Sequence, residues 1–184
     1  MFNAQAWNLF LQRNDVQVLW PGSFTEFGAP FHIDSFGVFH TVGDYISIRT
    51  KSIGTELELP EDVHWGHRLL NLEQFKLSNF KNLPETAGKI CLEECNVRSL
   101  EGIEQVVSEQ ITLIRCNQNE HKPGLLRVLK APGVKKFVLS DSFGQNPNVT
   151  ITLHKLINMH RDIGDIAECM DELMDMGFKE FARM

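Results

Sequence analysis

Four cysteines and seven histidines carry most of the reactive chemistry in this 184-residue chain. Cys91-x-x-x-Cys95, with Cys116 and His121, is the one grouping with the residue types of a zinc site. Zinc sites usually pair two close ligand pairs, and Cys116 with His121 is not a usual second pair. Cys91 could also serve as a nucleophile, with His64, His67 or His121 as its base. No recognisable nucleophile signature surrounds it, and a nucleophile needs a placed base. His64-Trp65-Gly66-His67 sets two histidines three apart, but Gly66 argues for a loop. Histidines beside tryptophan read as packing and hydrogen-bonding groups, as do His154 and His160. Gly22 and Gly28 do not form a phosphate loop, because no Gly-Lys-Ser/Thr follows. A looser concentration remains in the first 70 residues: His32, Asp34, His40, Asp44, His64 and His67. If these converge, an acid–base enzyme site results. The expectation is otherwise: no catalytic residue, no metal and no cofactor.

The elements that must position these residues are organised around Lys89–Asn117. Ile90-x-Leu92-x-x-Cys95-Asn96 returns as Ile111-x-Leu113-x-x-Cys116-Asn117, with Ser99-Leu100-x-Gly102-Ile103 between. A strand, a turn and a return to the next strand explain this spacing. Phe75-x-Leu77-x-x-Phe80 reads as a variant copy and Phe137-x-Leu139 as a degenerate fourth. First-residue spacings are then 15, 21 and 26 (75 to 90, 90 to 111, 111 to 137). The middle value falls in the leucine-rich-repeat range of roughly 20–29. The fold class expected is mainly β with a helical cap: a short, irregular leucine-rich-repeat-like solenoid with a parallel ladder and a C-terminal amphipathic helix.

Alternate residues of a strand face opposite sides. Ile90, Leu92, Ile111 and Leu113 then stack in the core, with Leu100 and Ile103 filling it from the return side. Cys95 and Cys116 turn inward as small, weakly polar groups. The outward set is Gln74, Lys76, Ser78, Lys89, Cys91, Glu93, Gln110, Thr112, Ile114, Lys136, Val138 and Ser140. Such a continuous face commonly binds protein. The candidate partner-binding residues on it are Lys76, Ser78, Lys89, Glu93, Thr112, Ile114, Lys136 and Ser140.

Residues 1–70 are expected to be a β-rich capping region, 71–155 the coils and 156–184 a helical cap, all in one structural unit. Tyr45–Thr50 alternates as a strand, and Thr150–Leu153 reads as a final one. After it Ile163, Ile166, Met170, Leu173, Met174, Phe178 and Phe181 recur at helical steps, giving an inward apolar face. Asp165, Glu168, Asp171, Glu172 and Asp175 line the outside, a second candidate binding surface toward a basic partner. The bland reading of that stripe is a solubilising face.

Asn96-Val97-Arg98-Ser99-Leu100-Glu101-Gly102-Ile103 resembles the coil of short leucine-rich-repeat-like proteins of tailed phages. The ending Cys169-Met170-Asp171-Glu172-Leu173 through Gly177-Phe178-Lys179-Glu180-Phe181-Ala182 is similar to the closing helix of such proteins. The resemblance covers roughly residues 72–184 and departs at Glu104, where proline is usual. It implies an interaction module and transfers no catalytic residue. A phage origin implies a host protein, a defence protein included, as the partner to be inhibited or redirected, and the host cytoplasm as the compartment.

Composition agrees with a folded, protein-binding chain. Hydrophobic residues make up 42%, too many for a disordered segment. A net charge of -6 argues against nucleic acid as partner. No run of about 18 apolar residues exists, so no membrane span is expected. Four cysteines fit reduced, buried thiols in a cytoplasmic protein. A repeat array has exposed ends, which leaves a homo-oligomer open.

Overall fold

The computed structural model describes residues 16–19, 31–33, 39–41, 45–50, 54–57, 59, 63–64, 69–81, 83–117, 123–143 and 146–184. Among the described residues eleven strands precede two α-helices, with short 3-10 helices at Ile103–Gln105 and Leu125–Lys130 between strands. The strands are β1 (Val16–Leu19), β2 (Phe31–Ile33), β3 (Phe39–Thr41), β4 (Tyr45–Thr50), β5 (Val63–His64), β6 (Leu69–Glu73), β7 (Lys76–Leu77), β8 (Lys89–Glu93), β9 (Asn96–Val97), β10 (Gln110–Ile114) and β11 (Phe137–Ser140). The helices are α1 (Pro147–Ile163) and α2 (Ile166–Asp175). One six-stranded sheet runs β1-β4-β6-β8-β10-β11. All its pairings are parallel except β1 with β4. The fold is a mainly parallel sheet closed by C-terminal helices.

The register follows from inward apolar residues two apart. Ile48, Leu72, Leu92, Leu113 and Leu139 occupy one row across five strands, and Leu70, Ile90, Ile111 and Phe137 occupy the next. All nine side chains are buried. Leu92 and Leu113 are direct partners at 0% exposure, as the repeat reading requires. Slipping one strand by a residue would turn its apolar pair outward, so the pattern fixes the pairing.

The first copy begins at Leu70, which corrects the expectation that it begins at Phe75. Leu70 pairs with Ile90 and Leu72 with Leu92. Phe75 and Leu77 lie one bend later, where β7 pairs with β9 in a second, two-stranded sheet. The run from Leu70 to Leu77 carries apolar residues on both sides of that bend, so its alternation alone cannot locate the strand. First-row positions are thus 24, 20, 21 and 26 residues apart (46 to 70, 70 to 90, 90 to 111, 111 to 137). The anomalous 15 disappears.

The bend itself is a repeated backbone conformation. Gln74, Glu94, Arg115 and Asp141 sit four residues after Leu70, Ile90, Ile111 and Phe137, with φ of 65°, 54°, 49° and 46°. A non-glycine residue in the left-handed region costs about 1–3 kcal/mol and persists only where its surroundings hold it. Here each of the first three donates its backbone N–H to the next rung: Gln74 to Glu93, Glu94 to Ile114 and Arg115 to Ser140, all at 2.9 Å. On the return side Gly102 has φ 96°, and a Cβ there would lie 2.7 Å from the Lys81 nitrogen. Only glycine fits that crossing.

Thr150–Leu153 belongs to α1, not to a strand. Asn146-Pro147 supplies the start signal: the Asn146 side chain accepts from the Asn148 N–H, and proline sits in the first turn. Thr150, Leu153, Leu156, Ile157 and His160 then face inward at helical spacing. The expected single amphipathic helix is two. Gly164, with φ 81°, caps α1, and Asp165 accepts from the Glu168 N–H to start α2. The break turns Ile163 out to 66% exposure and leaves Met170 and Met174 exposed as well, contrary to the inward face expected of them. Cys169 and Leu173 carry the packing of α2, and Phe181 packs edge-on to Phe143 at 5.4 Å. The expected boundaries at residues 70 and 155 fall inside β6 and α1.

Helix α1 also covers the edge of the sheet. The Leu139 N–H donates to His154 Nδ1 at 3.3 Å, Asn158 Nδ2 donates to the Phe137 carbonyl at 3.0 Å, and Arg161 donates to the Lys135 carbonyl at 2.6 Å. An unpaired strand edge is a template for another chain, and these side chains occupy it.

Two outcomes test this packing. Leu113→Ala should cost about 2–5 kcal/mol in denaturant melts; a loss below about 0.5 kcal/mol would contradict its core position. Burial and the nearby Lys136 hold the His154 imidazole below its ordinary 6.5, so it is neutral when folded and can accept from Leu139. Its contribution is therefore present above pH 6.5 and is lost as pH falls through the lowered folded value. The stability lost on acidification from pH 7 to pH 5 should be smaller in His154→Gln than in the native chain.

Candidate functional site

The candidate site is the side of the six-stranded sheet opposite the leucine rows. Strand alternation dictates its residues once the register is set. One row runs Ser47, Asn71, Cys91, Thr112, Val138, and the next runs Arg49, Glu73, Glu93, Ile114, Ser140. Lys89 and Gln110 form a partial third row. Of the expected face residues, Lys89, Glu93, Thr112, Ile114 and Ser140 lie on this face, and Lys136 immediately precedes β11. Lys76 and Ser78 do not, which is a correction. Lys76 is in β7 of the second sheet, 3.9 Å from the Glu56 carboxylate, and Ser78 donates its N–H to that same side chain. Their misplacement follows from the Phe75 register.

Four face residues were missed as site candidates: Ser47, Arg49, Asn71 and Glu73. The signal was present. Tyr45–Thr50 and Leu69–Glu73 both alternate, but only coordinates join them to the same sheet. Ser47, Asn71 and Glu73 form a polar cluster: Ser47 Oγ donates to Glu73 Oε1 at 2.8 Å, and Asn71 Nδ2 donates to Glu73 Oε1 at 2.8 Å and to Ser47 Oγ at 3.2 Å. Ser47 and Asn71 are buried, whereas the face opens from Cys91 to Ser140, where side chains are half-exposed.

A charged ribbon follows the bend beside this face. Arg49 Nε donates to Gln74 Oε1 at 3.3 Å, Gln74 Nε2 to Glu94 Oε2 at 3.0 Å, and Arg115 Nε to Glu94 Oε1 at 3.1 Å. Arg115 also pairs with Glu93. The hydrogen bonds from Gln74 and Arg115 hold the Glu94 carboxyl below its usual range. Exposed pairs of this kind contribute little stability but fix side-chain positions along the rungs.

The cysteines do not have the character of nucleophiles. Burial, then Glu93 and Glu73, push the Cys91 thiol up to about 11. A reactive cysteine needs the reverse shift. Cys95 and Cys116 are buried and used inward: each Sγ has its one hydrogen within reach of two backbone carbonyls, Leu72 and Glu93 for Cys95, Leu92 and Ile114 for Cys116. Burial pushes Cys116 up to about 12. Among the residues whose side chains are described, no group of three or more His, Cys, Asp or Glu could hold a metal ion. His121 lies outside the described residues.

The N-terminal histidines are partly placed. A three-stranded sheet has the order β2-β3-β5, and its register pairs His32 with His40 and His40 with His64. Asp34, Asp44 and His67 lie outside the described residues.

On the acidic surface, two of five residues have structural work. Asp165 caps α2, and Glu172 reaches to 3.3 Å from the buried His160 Nε2. Glu168, Asp171 and Asp175 are exposed. No helix among the described residues is long and apolar enough to cross a membrane. No family model, no curated protein and no solved structure matches the chain.

The protonated Cys91 thiol gives a direct check. At pH 7 its alkylation by iodoacetamide should be far slower than that of free cysteine, whose ordinary value lies near 8.5. Labelling as fast as free cysteine would overturn the shift.

Proposed function

We propose that this chain is a non-enzymatic binding module, a short leucine-rich-repeat-like solenoid that docks a protein partner on its outward sheet face. The observation that carries the reading is the in-register face from Cys91 to Ser140, half-exposed and flanked by the Arg49–Gln74–Glu94–Arg115 ribbon. Row spacings of 24, 20, 21 and 26 residues support the solenoid, since leucine-rich coils run roughly 20–29 residues. A face made of mixed hydrogen-bonding and apolar side chains, with acids and arginine at its rim, suits protein better than phosphate. The covered β11 edge supports use of the face over growth by strand addition.

The resemblance to phage proteins adds the biological reading: a protein of the host cytoplasm, inhibited or redirected, with a defence protein as the target class. The sheet face is favoured over the acidic helix because Asp165 and Glu172 of that helix already serve the fold.

A second reading, an enzyme with its site in the first 70 residues, draws on the paired register of His32, His40 and His64.

The test is capture from host lysate by three tagged chains: native, Thr112→Arg, and Asp171→Lys with Asp175→Lys. Thr112→Arg should keep the native melting temperature and lose the partner, while the α2 double variant keeps it. Loss only in the α2 variant would move the interface to the helix. Unfolding of Thr112→Arg would show that Thr112 does not face outward.

A further inference from the structure

We propose that the outward side of α2 is a second docking surface, and that its occupant is a basic amphipathic helix of another protein. The helix turns roughly 100° per residue, so residues three and four apart share a row. Ile166, Cys169 and Leu173 form the inward row: Cys169 and Leu173 are buried and Ile166 is half-buried. Ala167, Met170 and Met174 form the next row, and Glu168, Asp171 and Asp175 the one after it; all six are exposed. An apolar row and an acidic row therefore run side by side along the solvent side of one helix. Exposed apolar surface is concentrated in this cap. Of the eight large apolar side chains exposed among the described residues, six lie on α1, on α2 or at Met176 directly after it. Five of the chain's six methionines are among the eight.

The fold consumes neither row in packing or pairing. No ion pair among the described residues uses Glu168, Asp171 or Asp175. Glu93 and Glu94, beside the sheet face, are by contrast paired with Arg115. Acids at three- and four-residue steps repel one another, and α2 has no basic residue in its last turn to suit the negative end of its dipole. Only Glu168, in the first turn, suits that dipole. A solubilising face accounts for the acids but not for the methionines beside them. Local rules broken without structural gain mark functional surface. One occupant relieves both rows: a helix with apolar residues at i, i+3, i+4 and i+7 and Lys or Arg alongside them. Its apolar row lies on the methionines, which are flexible and polarisable enough to adapt to it, and its basic row lies on the acids. The same acids repel nucleic acid. Asp165 and Glu172, which serve the fold, stand outside both rows. The inference is independent of the binding face on the larger sheet.

The experiment titrates the full-length chain with two labelled peptides of identical composition, each of about 14 leucines and lysines, a length at which an isolated helix is marginal. In one the leucines recur at helical spacing; in the other the order is scrambled. The patterned peptide should bind, gain helicity in circular dichroism and shift the Met170 and Met174 methyl signals. Met170→Gln with Met174→Gln should weaken binding about tenfold or more, and so should Asp171→Lys with Asp175→Lys. Added salt should weaken it further. Thr112→Arg on the sheet face should leave it unchanged, which separates failure here from failure of the sheet-face reading. The native chain's methyl shifts need no variant and guard against a folding artefact. Equal binding of the scrambled peptide, or binding indifferent to the methionine pair, would overturn the proposal. Occupation of the methionine row by phosphatidylcholine vesicles, or by a second copy of the chain in sedimentation, with no peptide bound would overturn it as well.

Discussion

The structure depends on how each rung turns out of the six-stranded sheet without leaving a buried carbonyl unpaired. Parallel strands need a crossover before they can pair, and here the crossover begins at a left-handed residue followed by a small inward donor. Cys95 shares its one hydrogen between the Leu72 and Glu93 carbonyls, Cys116 between Leu92 and Ile114, and Ser142 between Leu113 and Ser140. Each donor thus ties the previous rung to its own. Buried carbonyls without partners are costly, so this position selects a small side chain with a hydrogen to give. A thiol meets the need in two rungs and a hydroxyl in the third. In the first rung Phe75 fills the same place with volume instead.

The end of the stack follows from the same constraint. Ser142 closes the last rung, and Thr150 of α1 donates to its carbonyl at 2.5 Å. From there α1 lies against the β11 edge, where His154, Asn158 and Arg161 take over the pairing that a further strand would have made. The histidine must be neutral to accept, which its lowered ionisation ensures. The cap is thus specific to this edge: its polar side chains match backbone groups two residues apart, at Lys135 just before β11 and at Phe137 and Leu139 within it.

Much of this was legible where two copies agree residue by residue. Ile90, Leu92 and Cys95 predict Ile111, Leu113 and Cys116, and the inward leucines and thiols stand where that repeat puts them. The copy before them was set five residues late, because Phe75 and Leu77 mimic a strand across a bend whose left-handed residue, Gln74, carries no glycine signal. Lys76 and Ser78 were misassigned to the face for that reason. Thr150–Leu153 has the β-branched look of a strand, and tertiary packing with the Asn146-Pro147 cap overrides it. Gly164 separates α1 from α2, a break that the apolar periodicity runs straight through. The pairing of β2 with β3 and of β3 with β5 was out of reach, because register between distant short strands leaves no trace in spacing.

The most direct test of the stack is a methyl NOE map of the leucines. Leu72 should show cross-peaks to Leu92, Leu92 to both Leu72 and Leu113, and Leu113 to Leu139, because each neighbour is one rung, about 4.8 Å, away. A Leu113 with no cross-peak to Leu92, or with contacts to Leu72 of equal strength, would contradict the rung order and remove the face built upon it.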